Sequence, residues 1–285
     1  MGCGNLRFGP AGKPIDLKGD MLDAPSFLRN IGLNAMEYEA VRGVNISKEK
    51  AERLGAFARE NDVVLSLHAP YYINLSAVEN EKVESSVKRL VDSLKATQWM
   101  GGYVVVFHPG YYLEWGIKEA VSRVIHGINM VWDRFGEVSN VKNVWLGPET
   151  TGKTKQVGSV EDVIEICSNV EKCRPVVDWA HLHARSLGRF PQDVGDVVKV
   201  IEAFEKRLGK EAINPLHTHF SKIEYTRGGE KEHHTLDENY GPDFRLVCEA
   251  YREVGVSAVI ISESPILERD ALKMKGICEE ICGML

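Results

Sequence analysis

Histidine and acidic side chains follow short apolar runs at several points of this 285-residue sequence. In the segment 176–181, two valines lead directly into Asp178, and His181 follows three residues later. Two β-branched residues after Pro175 predict a short buried strand that ends at Asp178. An aspartate at the end of a strand usually caps the next helix, so this pair alone does not indicate a site. The recurrence of the pattern along the chain does.

Five further predicted strands also end at a histidine or a carboxylate, the side chains that most often bind metal ions. A single residue of this kind at the end of a strand is more often a hydrogen-bonded structural residue. Six of them converging on one face are difficult to explain in that way. They are His68, His108, Glu149, Asp178, His217 and Glu263, with His181 and His233–His234 on loops just beyond. Imidazole and carboxylate ligands suit Zn²⁺, Mn²⁺ or Fe²⁺. So many ligands predict two or three ions, an arrangement typical of phosphoester hydrolysis.

The elements that must position these residues are about eight apolar strands alternating with about eight helices. Helical spacing of apolar residues is clear in 81–100 and 194–208. Short apolar strands separated by helices predict a parallel sheet buried on both faces. Eight units favour a closed (β/α)₈ TIM barrel, an α/β fold, over a doubly wound sheet, and barrel active sites lie at the carboxyl ends of the strands. We expect one domain over residues 1–285, with 1–5 as a candidate disordered segment.

Composition narrows the function further. The net charge of −6 argues against a protein that coats nucleic acid by bulk attraction, although a metal site could be locally positive. The sequence contains no apolar run of 18 residues, so no membrane-spanning helix is predicted. Six cysteines without a CxxC pair predict free buried thiols in a reducing cytosol, so we expect a cytoplasmic protein. They are Cys3, Cys167, Cys173, Cys248, Cys278 and Cys282. We also expect a monomer.

From the second strand onward the motifs resemble those of the endonuclease IV type of apurinic/apyrimidinic (AP) endonucleases. In chain order they are His68-Ala69-Pro70-Tyr71-Tyr72-Ile73-Asn74-Leu75, Phe107-His108-Pro109-Gly110, Gly147-Pro148-Glu149-Thr150-Thr151-Gly152, Asp178-Trp179-Ala180-His181, His217 with Ser221-Lys222, and Ser262-Glu263-Ser264-Pro265. Any one of these matches is weak, but six in the family's order and spacing are specific.

The resemblance implies a zinc-dependent enzyme that cuts duplex DNA 5′ to an abasic site. It implies that His68, His108 and Glu149 hold a first ion. Glu149, the catalytic carboxylate, would bridge to a second ion held with Asp178, His217 and Glu263, while His181 and His233 would belong to a third. Tyr71 stands where the family inserts a tyrosine into DNA, although a half-buried rim aromatic is an equal alternative. Arg42, Lys222, Arg185 and Arg227 are candidate phosphate contacts.

The chain departs from the family pattern at Lys231, where the family has an aspartate that binds the third ion, and in the N-terminal Gly-Pro-Ala-Gly segment. If the segment before His233 is extended, residues 231 and 233 share one face, and Lys231 faces the third ion. An ammonium group cannot ligate, so we expect a weak third site. The alternative is an irregular segment that lets Glu230 or Glu232 reach the ion.

Two other functions stay open from the sequence. A metal-dependent sugar or sugar-phosphate isomerase or epimerase is the second candidate, because related barrels use similar ligands for proton transfer. Fewer metal ligands would favour it. The third candidate is a protein that binds damaged DNA without cutting it.

Overall fold

The computed structural model describes residues 3–113, 115–136 and 144–283. The strands, in chain order, are β1 (Leu6–Pro10), β2 (Ala35–Glu39), β3 (Val64–His68), β4 (Val104–Phe107), β5 (Gly110–Tyr111), β6 (Trp145–Pro148), β7 (Gln156–Val157), β8 (Val176–Asp178), β9 (Leu216–Phe220), β10 (Lys222–Thr226), β11 (Gly229–His234) and β12 (Ala258–Ser262). The α-helices are α1 (Ala24–Asn30), α2 (Lys48–Glu60), α3 (Asn80–Met100), α4 (Gly116–Gly136), α5 (Val160–Ser168), α6 (Trp179–Arg185), α7 (Val194–Leu208), α8 (Phe244–Val254) and α9 (Glu268–Cys282).

Eight of these strands form the wall of a TIM barrel, as predicted. They lie in two parallel four-stranded sheets, in the orders β1-β12-β9-β8 and β2-β3-β4-β6. A parallel bridge between Ala11 and Glu37 joins the sheets on one side, and bridges Leu146–Cys173 and Glu149–Val176 join them on the other. The ring of strands is therefore continuous, and the carboxyl ends of all eight strands meet at one face.

Local sequence signals place the helices around this ring. Ser47 caps α2 by accepting a hydrogen bond from the backbone N–H of Lys50, as its position predicts. Ser159 and Asp162 form a capping box at the start of α5. Apolar faces of the helices pack on the outside of the barrel, where residues such as Leu90, Val124 and Phe204 are fully buried. Among the described residues, no helix has the length and apolarity needed to cross a bilayer.

Two irregular additions surround the mouth of the barrel. β5 and β7 pair in an antiparallel fashion beside the end of β4, and β10 and β11 form an antiparallel hairpin directly after β9. The hairpin lies over the carboxyl ends of the strands, where it contacts α6. It carries His233 to the site on a strand, where the sequence predicted a loop.

The prediction of free cysteines is wrong. The structure pairs all six, as Cys3–Cys282, Cys167–Cys173 and Cys248–Cys278, with Cα–Cα distances of 5.7, 4.9 and 5.6 Å. These distances fall within the range of disulfide bonds. The partners are far apart in the sequence in two of the pairs, and the packing of α9 against α8 and β1 brings them together. Spacing alone therefore gave no sign of them.

Candidate metal centre

A cavity of about 350 Å³ opens at the carboxyl ends of the strands. Its lining combines imidazoles and carboxylates with a few apolar side chains. The lining residues are Ala11, Glu39, Val41, His68, Tyr71, His108, His181, Glu230, His233, Glu263 and Leu267. The predicted metal-binding face is thus a polar cleft.

The first group of ligands at this cleft is the predicted set His68, His108 and Glu149. Oε2 of Glu149 lies 2.9 Å from Nε2 of His108 and 3.4 Å from Nε2 of His68. The three side chains come from the ends of β3, β4 and β6, which are neighbours in the barrel. Their candidate ligand atoms all lie within 4.8 Å of one another, a spacing that could hold one metal ion.

The second group uses the other oxygen of Glu149. Oε1 lies 2.8 Å from Nδ1 of His219, and the same nitrogen lies 3.1 Å from Oε1 of Glu263. Asp178 completes a four-residue group whose candidate ligand atoms lie within 4.8 Å of one another. Glu149 therefore faces one set of ligands with each carboxylate oxygen, which is the geometry of a bridging ligand.

The structure places His219 in this group and not His217, the residue that the motif predicted. The reason is the length of β9, which continues to Phe220. His217 and His219 both point into the barrel because side chains alternate along a strand. The register pairs His219 with Asp178 on β8 and with Ile261 on β12, so that His219 stands at the level of the site. His217 lies two residues deeper, with Nε2 3.1 Å from Oε2 of Glu37.

Asp178 has two roles. Its Oδ1 accepts a hydrogen bond of 2.7 Å from the backbone N–H of His181 and caps α6. Its Oδ2 is buried and has no hydrogen-bond partner within the described ranges. The capping interpretation and the ligand interpretation of this aspartate are therefore compatible, since each uses a different oxygen.

The third group contains His181, Glu230 and His233. Nε2 of His181 lies 3.5 Å from Oε2 of Glu230, and the two imidazole rings are 5.6 Å apart between centroids. The preferred expectation, that Lys231 faces this group, is wrong. The register of the hairpin shifts at Glu224/Tyr225, so that Glu232 pairs with Glu224 and Glu230 with Tyr225. Lys231 is the extra residue of this β-bulge, and Glu230 takes its place toward the site.

Backbone carbonyls orient two of the histidines. Nδ1 of His68 bonds to the carbonyl of Ala69 at 2.8 Å, and Nδ1 of His181 bonds to the carbonyl of Thr150 at 2.9 Å. A carbonyl can only accept, so Nδ1 of each ring carries a proton, and Nε2 is the nitrogen that faces the cleft and is left for a metal ion. Both rings are therefore set to ligate through Nε2.

The electrostatics of the cleft also fit a cation. Burial raises the pKa of Asp178 to about 8, and the charge on His181 only partly offsets it. Burial raises the pKa of Glu39 to about 8 as well, and Oε1 of that residue is buried without a hydrogen-bond partner in the described part of the chain. Burial would also raise the pKa of Glu263, but His219 holds it at about 2. Divalent ions would supply the positive charge that these carboxylates need in order to ionise together.

The predicted DNA contacts lie in different surroundings. Tyr71 is 55% exposed at the rim, with its ring 5.7 Å from that of His68. Arg42 is exposed beyond the end of β2. Lys222 donates to the carbonyl of Glu238 at 2.6 Å. Arg185 donates to several carbonyls of the loop 151–156 and to the hydroxyl of Tyr112, so it holds that loop in place.

A family profile described as xylose isomerase-like TIM barrel matches residues 25–276. The chain belongs to this family. Within it, the chain is 39% identical over 276 residues to an uncharacterized protein of Methanocaldococcus jannaschii, covering 97% of this chain and 98% of that one. It is 29% identical over 214 residues to a probable endonuclease 4 of Staphylococcus aureus, covering 71% of this chain and 64% of that protein. The latter match thus spans less than two-thirds of the endonuclease.

The solved structures with a similar fold include one named as an endonuclease IV and one named as an epimerase-like protein. The crystal structure of endonuclease IV from Thermus thermophilus matches with a TM-score of 0.71 and 20% identity, over 98% of this chain and all of that one. A D-tagatose 3-epimerase-like protein matches with a TM-score of 0.68 and 18% identity, over 98% and 97% of the two chains. The predicted resemblance to the endonuclease IV type is confirmed at the level of family and fold.

Three residues at or beside the site of this xylose isomerase-like barrel were missed from the sequence: Glu37, Glu39 and His219. Glu37 and Glu39 alternate along a strand that is otherwise apolar or aromatic, and His217 and His219 do the same on β9. Charged or titratable side chains at a spacing of two within a predicted barrel strand point into the barrel together, and that spacing was the available signal. Glu230 was the alternative expected if the segment before His233 were irregular, and the bulge makes it so.

Proposed function

We propose that this protein is a metal-dependent endonuclease that hydrolyses the phosphodiester 5′ to an abasic site in duplex DNA. The observation that carries the proposal is the presence of three adjacent ligand groups at one barrel face, two of which share Glu149. Multinuclear sites of this kind serve displacement at phosphorus, where charge develops on both the attacking and the leaving oxygen.

We assign the three ligand groups to three metal ions. His68 and His108 would hold a first ion with Glu149, and Asp178, His219 and Glu263 would hold a second with the same carboxylate. His181, Glu230 and His233 would hold a third. Zn²⁺ fits this set of nitrogen and carboxylate ligands, and Mn²⁺ or Fe²⁺ are alternatives. When bound, such ions supply charge neutralisation at a phosphate and activation of water.

The protein side chains around the ions would bind and orient the DNA. Tyr71 is exposed at the rim beside His68 and His108, where its ring offers a face on which a base next to the lesion could stack. Arg42 lies exposed on the same side of the barrel, after β2, and would contact the phosphate backbone. We propose that the protein acts as a monomer on abasic duplex DNA.

An epimerase acting on a sugar is the second candidate. The specific observation in its favour is that Glu149, Asp178, His219 and Glu263 alone form a four-ligand group sufficient for one ion. A single ion would suffice for proton transfer beside a carbonyl, and the remaining two groups would then be without a role. The endonuclease uses all three groups, and we prefer it for that reason.

The deciding experiment incubates zinc-loaded protein with a duplex that carries one abasic analogue, beside an undamaged duplex and beside a panel of ketosugars. We expect a nick immediately 5′ to the abasic position, lost on prolonged chelation and restored by Zn²⁺ or Mn²⁺. A matched variant, Glu161→Gln on the exposed face of α5, should behave as wild type. If the abasic strand stayed intact and a ketosugar were interconverted, the protein would be an epimerase and not an endonuclease.

A further inference from the structure

Beneath the metal centre, a chain of four polar side chains crosses the inside of the barrel. It runs from Tyr103 through His217 and Glu37 to His219. Glu37, His217 and His219 are all fully buried. Their positions on β2 and β9, which are not neighbours in the ring of strands, mean that the chain spans the interior. Buried polar groups of this kind are retained only when they are paired.

The direction of the hydrogen bonds in this chain is determined by Glu37. This carboxyl lies between two imidazoles, with Oε2 toward His217 and Oε1 toward His219. An ionised carboxylate only accepts, so Nε2 of His217, 3.1 Å from Oε2 of Glu37, must carry a proton. Its Nδ1 is then an acceptor, and the hydroxyl of Tyr103 donates to it at 2.5 Å.

The second oxygen of Glu37 faces His219. Oε1 lies 2.9 Å from Nε2 of His219, although the two atoms are not aligned for a hydrogen bond. Neither atom has a hydrogen-bond partner elsewhere within the described ranges, so each is the nearest group that can pair with the other. The opposite nitrogen, Nδ1, is the one that lies against Glu149 and Glu263.

His219 is thus oriented differently from His68 and His181. Those rings hold their proton on Nδ1 through a backbone carbonyl and present Nε2 to the cleft. His219 presents Nδ1 and has a side-chain carboxylate behind it. A carboxylate behind a ligating imidazole fixes the tautomer and makes the ring a stronger ligand.

We propose that Glu37 is a positioning residue that keeps the proton of His219 on Nε2 and its Nδ1 lone pair toward the second metal ion, and that His217 and Tyr103 hold Glu37 in place. The inference rests on the proposed metal centre but not on the substrate. His217, which the family motif offered as a ligand, acts on this view two residues below the ion, through Glu37.

The test measures metal affinity and ring protonation, both without DNA. Glu37→Met replaces the carboxylate by an apolar side chain of similar length. We expect chelator competition to show the second ion bound about 10–100-fold more weakly, the usual effect of losing such a partner. In zinc-loaded protein labelled with ¹⁵N-histidine, the Nε2–H signal of His219 should shift or vanish. The ion held by His181, Glu230 and His233 should keep its affinity.

Ser66→Ala is the matched control, because Ser66 is buried beside Glu37 on β3 and its hydroxyl has no partner in the described part of the chain. It should leave both readouts unchanged. Tyr103→Phe removes a single hydroxyl, so it keeps the fold even if Glu37→Met does not, and it should weaken the second ion several-fold.

Glu37→Gln should lie between wild type and Glu37→Met, because its oxygen can still accept from His219 if His217 changes tautomer. Wild-type affinity and an unchanged His219 signal in folded Glu37→Met or in Tyr103→Phe would overturn the proposal. Loss of DNA cleavage alone would bear only on the proposed function.

Discussion

The ammonium group of Lys231 lies 2.8 Å from Oε1 of Glu224, on the side of the β10–β11 hairpin that carries Glu232 and His234. On the other side, Glu230 reaches His181. The bulge at Lys231 separates these two sides, so the lysine pairs with Glu224 and does not face the third ligand group.

The third group should therefore bind an ion with Glu230 as its carboxylate ligand. Glu230→Gln should lower the tightly bound metal by about one ion per chain, since the remaining two imidazoles are too few for a tetrahedral site. Elemental analysis after gel filtration measures this. Glu232→Gln, an exposed neighbour, is the control and should retain all the metal, and Lys231→Asp should gain none. A gain of one ion in Lys231→Asp would show that the unmutated third group is empty.

Glu149→Gln should lower DNA cleavage by at least about 100-fold while the protein stays folded. Each oxygen of Glu149 faces a different ligand group, so the substitution disturbs two ions at once. Cleavage rates and the metal content of the same preparation measure the effect, with thermal unfolding as the check on folding. Rapid cleavage by folded Glu149→Gln would exclude a shared carboxylate from the mechanism.

Tyr71→Ala should weaken binding of the abasic duplex by about 1–3 kcal/mol, the range for loss of one base–aromatic stack. Tyr71→Phe should bind as wild type, because the ring and not the hydroxyl is used. Tyr72→Ala removes a similarly exposed ring farther along the same loop and serves as the control. Fluorescence anisotropy in chelator, where cutting cannot occur, gives the affinities. Equal losses in Tyr71→Ala and Tyr72→Ala would assign the effect to the loop in general.

Glu39 should make the stability of the metal-free protein depend on pH. Burial raises its pKa from 4.5 to about 8, so the folded protein holds a proton on this carboxyl that the unfolded chain releases. Between these two values the folded state binds more protons, and the free energy of unfolding falls as the pH rises.

Glu39→Gln removes this dependence. It should be more stable than wild type at pH 8.5 and should lose most of that advantage at pH 4.5. Urea unfolding at both pH values measures the difference, and Glu49→Gln on the exposed side of α2 is the control. The same advantage at both pH values would mean that ionisation of Glu39 is not responsible.

The disulfide between Cys248 and Cys278 should stabilise the packing of α8 on α9. A bond that closes a separation of 30 residues contributes about 3–4 kcal/mol in the chain-entropy description. The double variant Cys248→Ser/Cys278→Ser should therefore melt several degrees lower than wild type without reductant. Addition of a reductant should remove most of the difference between the two. Identical melting of both proteins without reductant would show that the thiols are not joined.

The sequence predicts most of this site because the ligands follow buried strands. Apolar runs such as 63–67 identify where a strand lies, and the residue that follows, His68, is thereby at the carboxyl face. The prediction of a ligand fails where it depends on the residue at which a strand ends. His217 and His219 share a face of β9, and only the pairing of β9 with β8 and β12 sets which of them is level with Asp178.

The orientation of Glu230 was beyond sequence analysis for a related reason. Strict alternation along the segment puts residue 231 beside His233, and one inserted residue reverses the result. A β-bulge leaves no signal in the composition, so the charge of the side chain that faces the third ligand group depends on a local irregularity of the hairpin. The pairs Cys3–Cys282 and Cys248–Cys278 likewise depend on the packing of α9 against distant parts of the chain.

The pairing of β1 with β12 has a consequence for synthesis of the protein on the ribosome. Leu6 lies opposite Ala258, so β1 waits for a partner strand that is made about 250 residues later. At ordinary translation rates of about 5–20 residues per second, this leaves the edge of β1 unprotected for tens of seconds. Nascent chains that stop before residue 258 should therefore expose two unpaired strand edges, β1 and β9, and should depend on chaperones more than the finished barrel does.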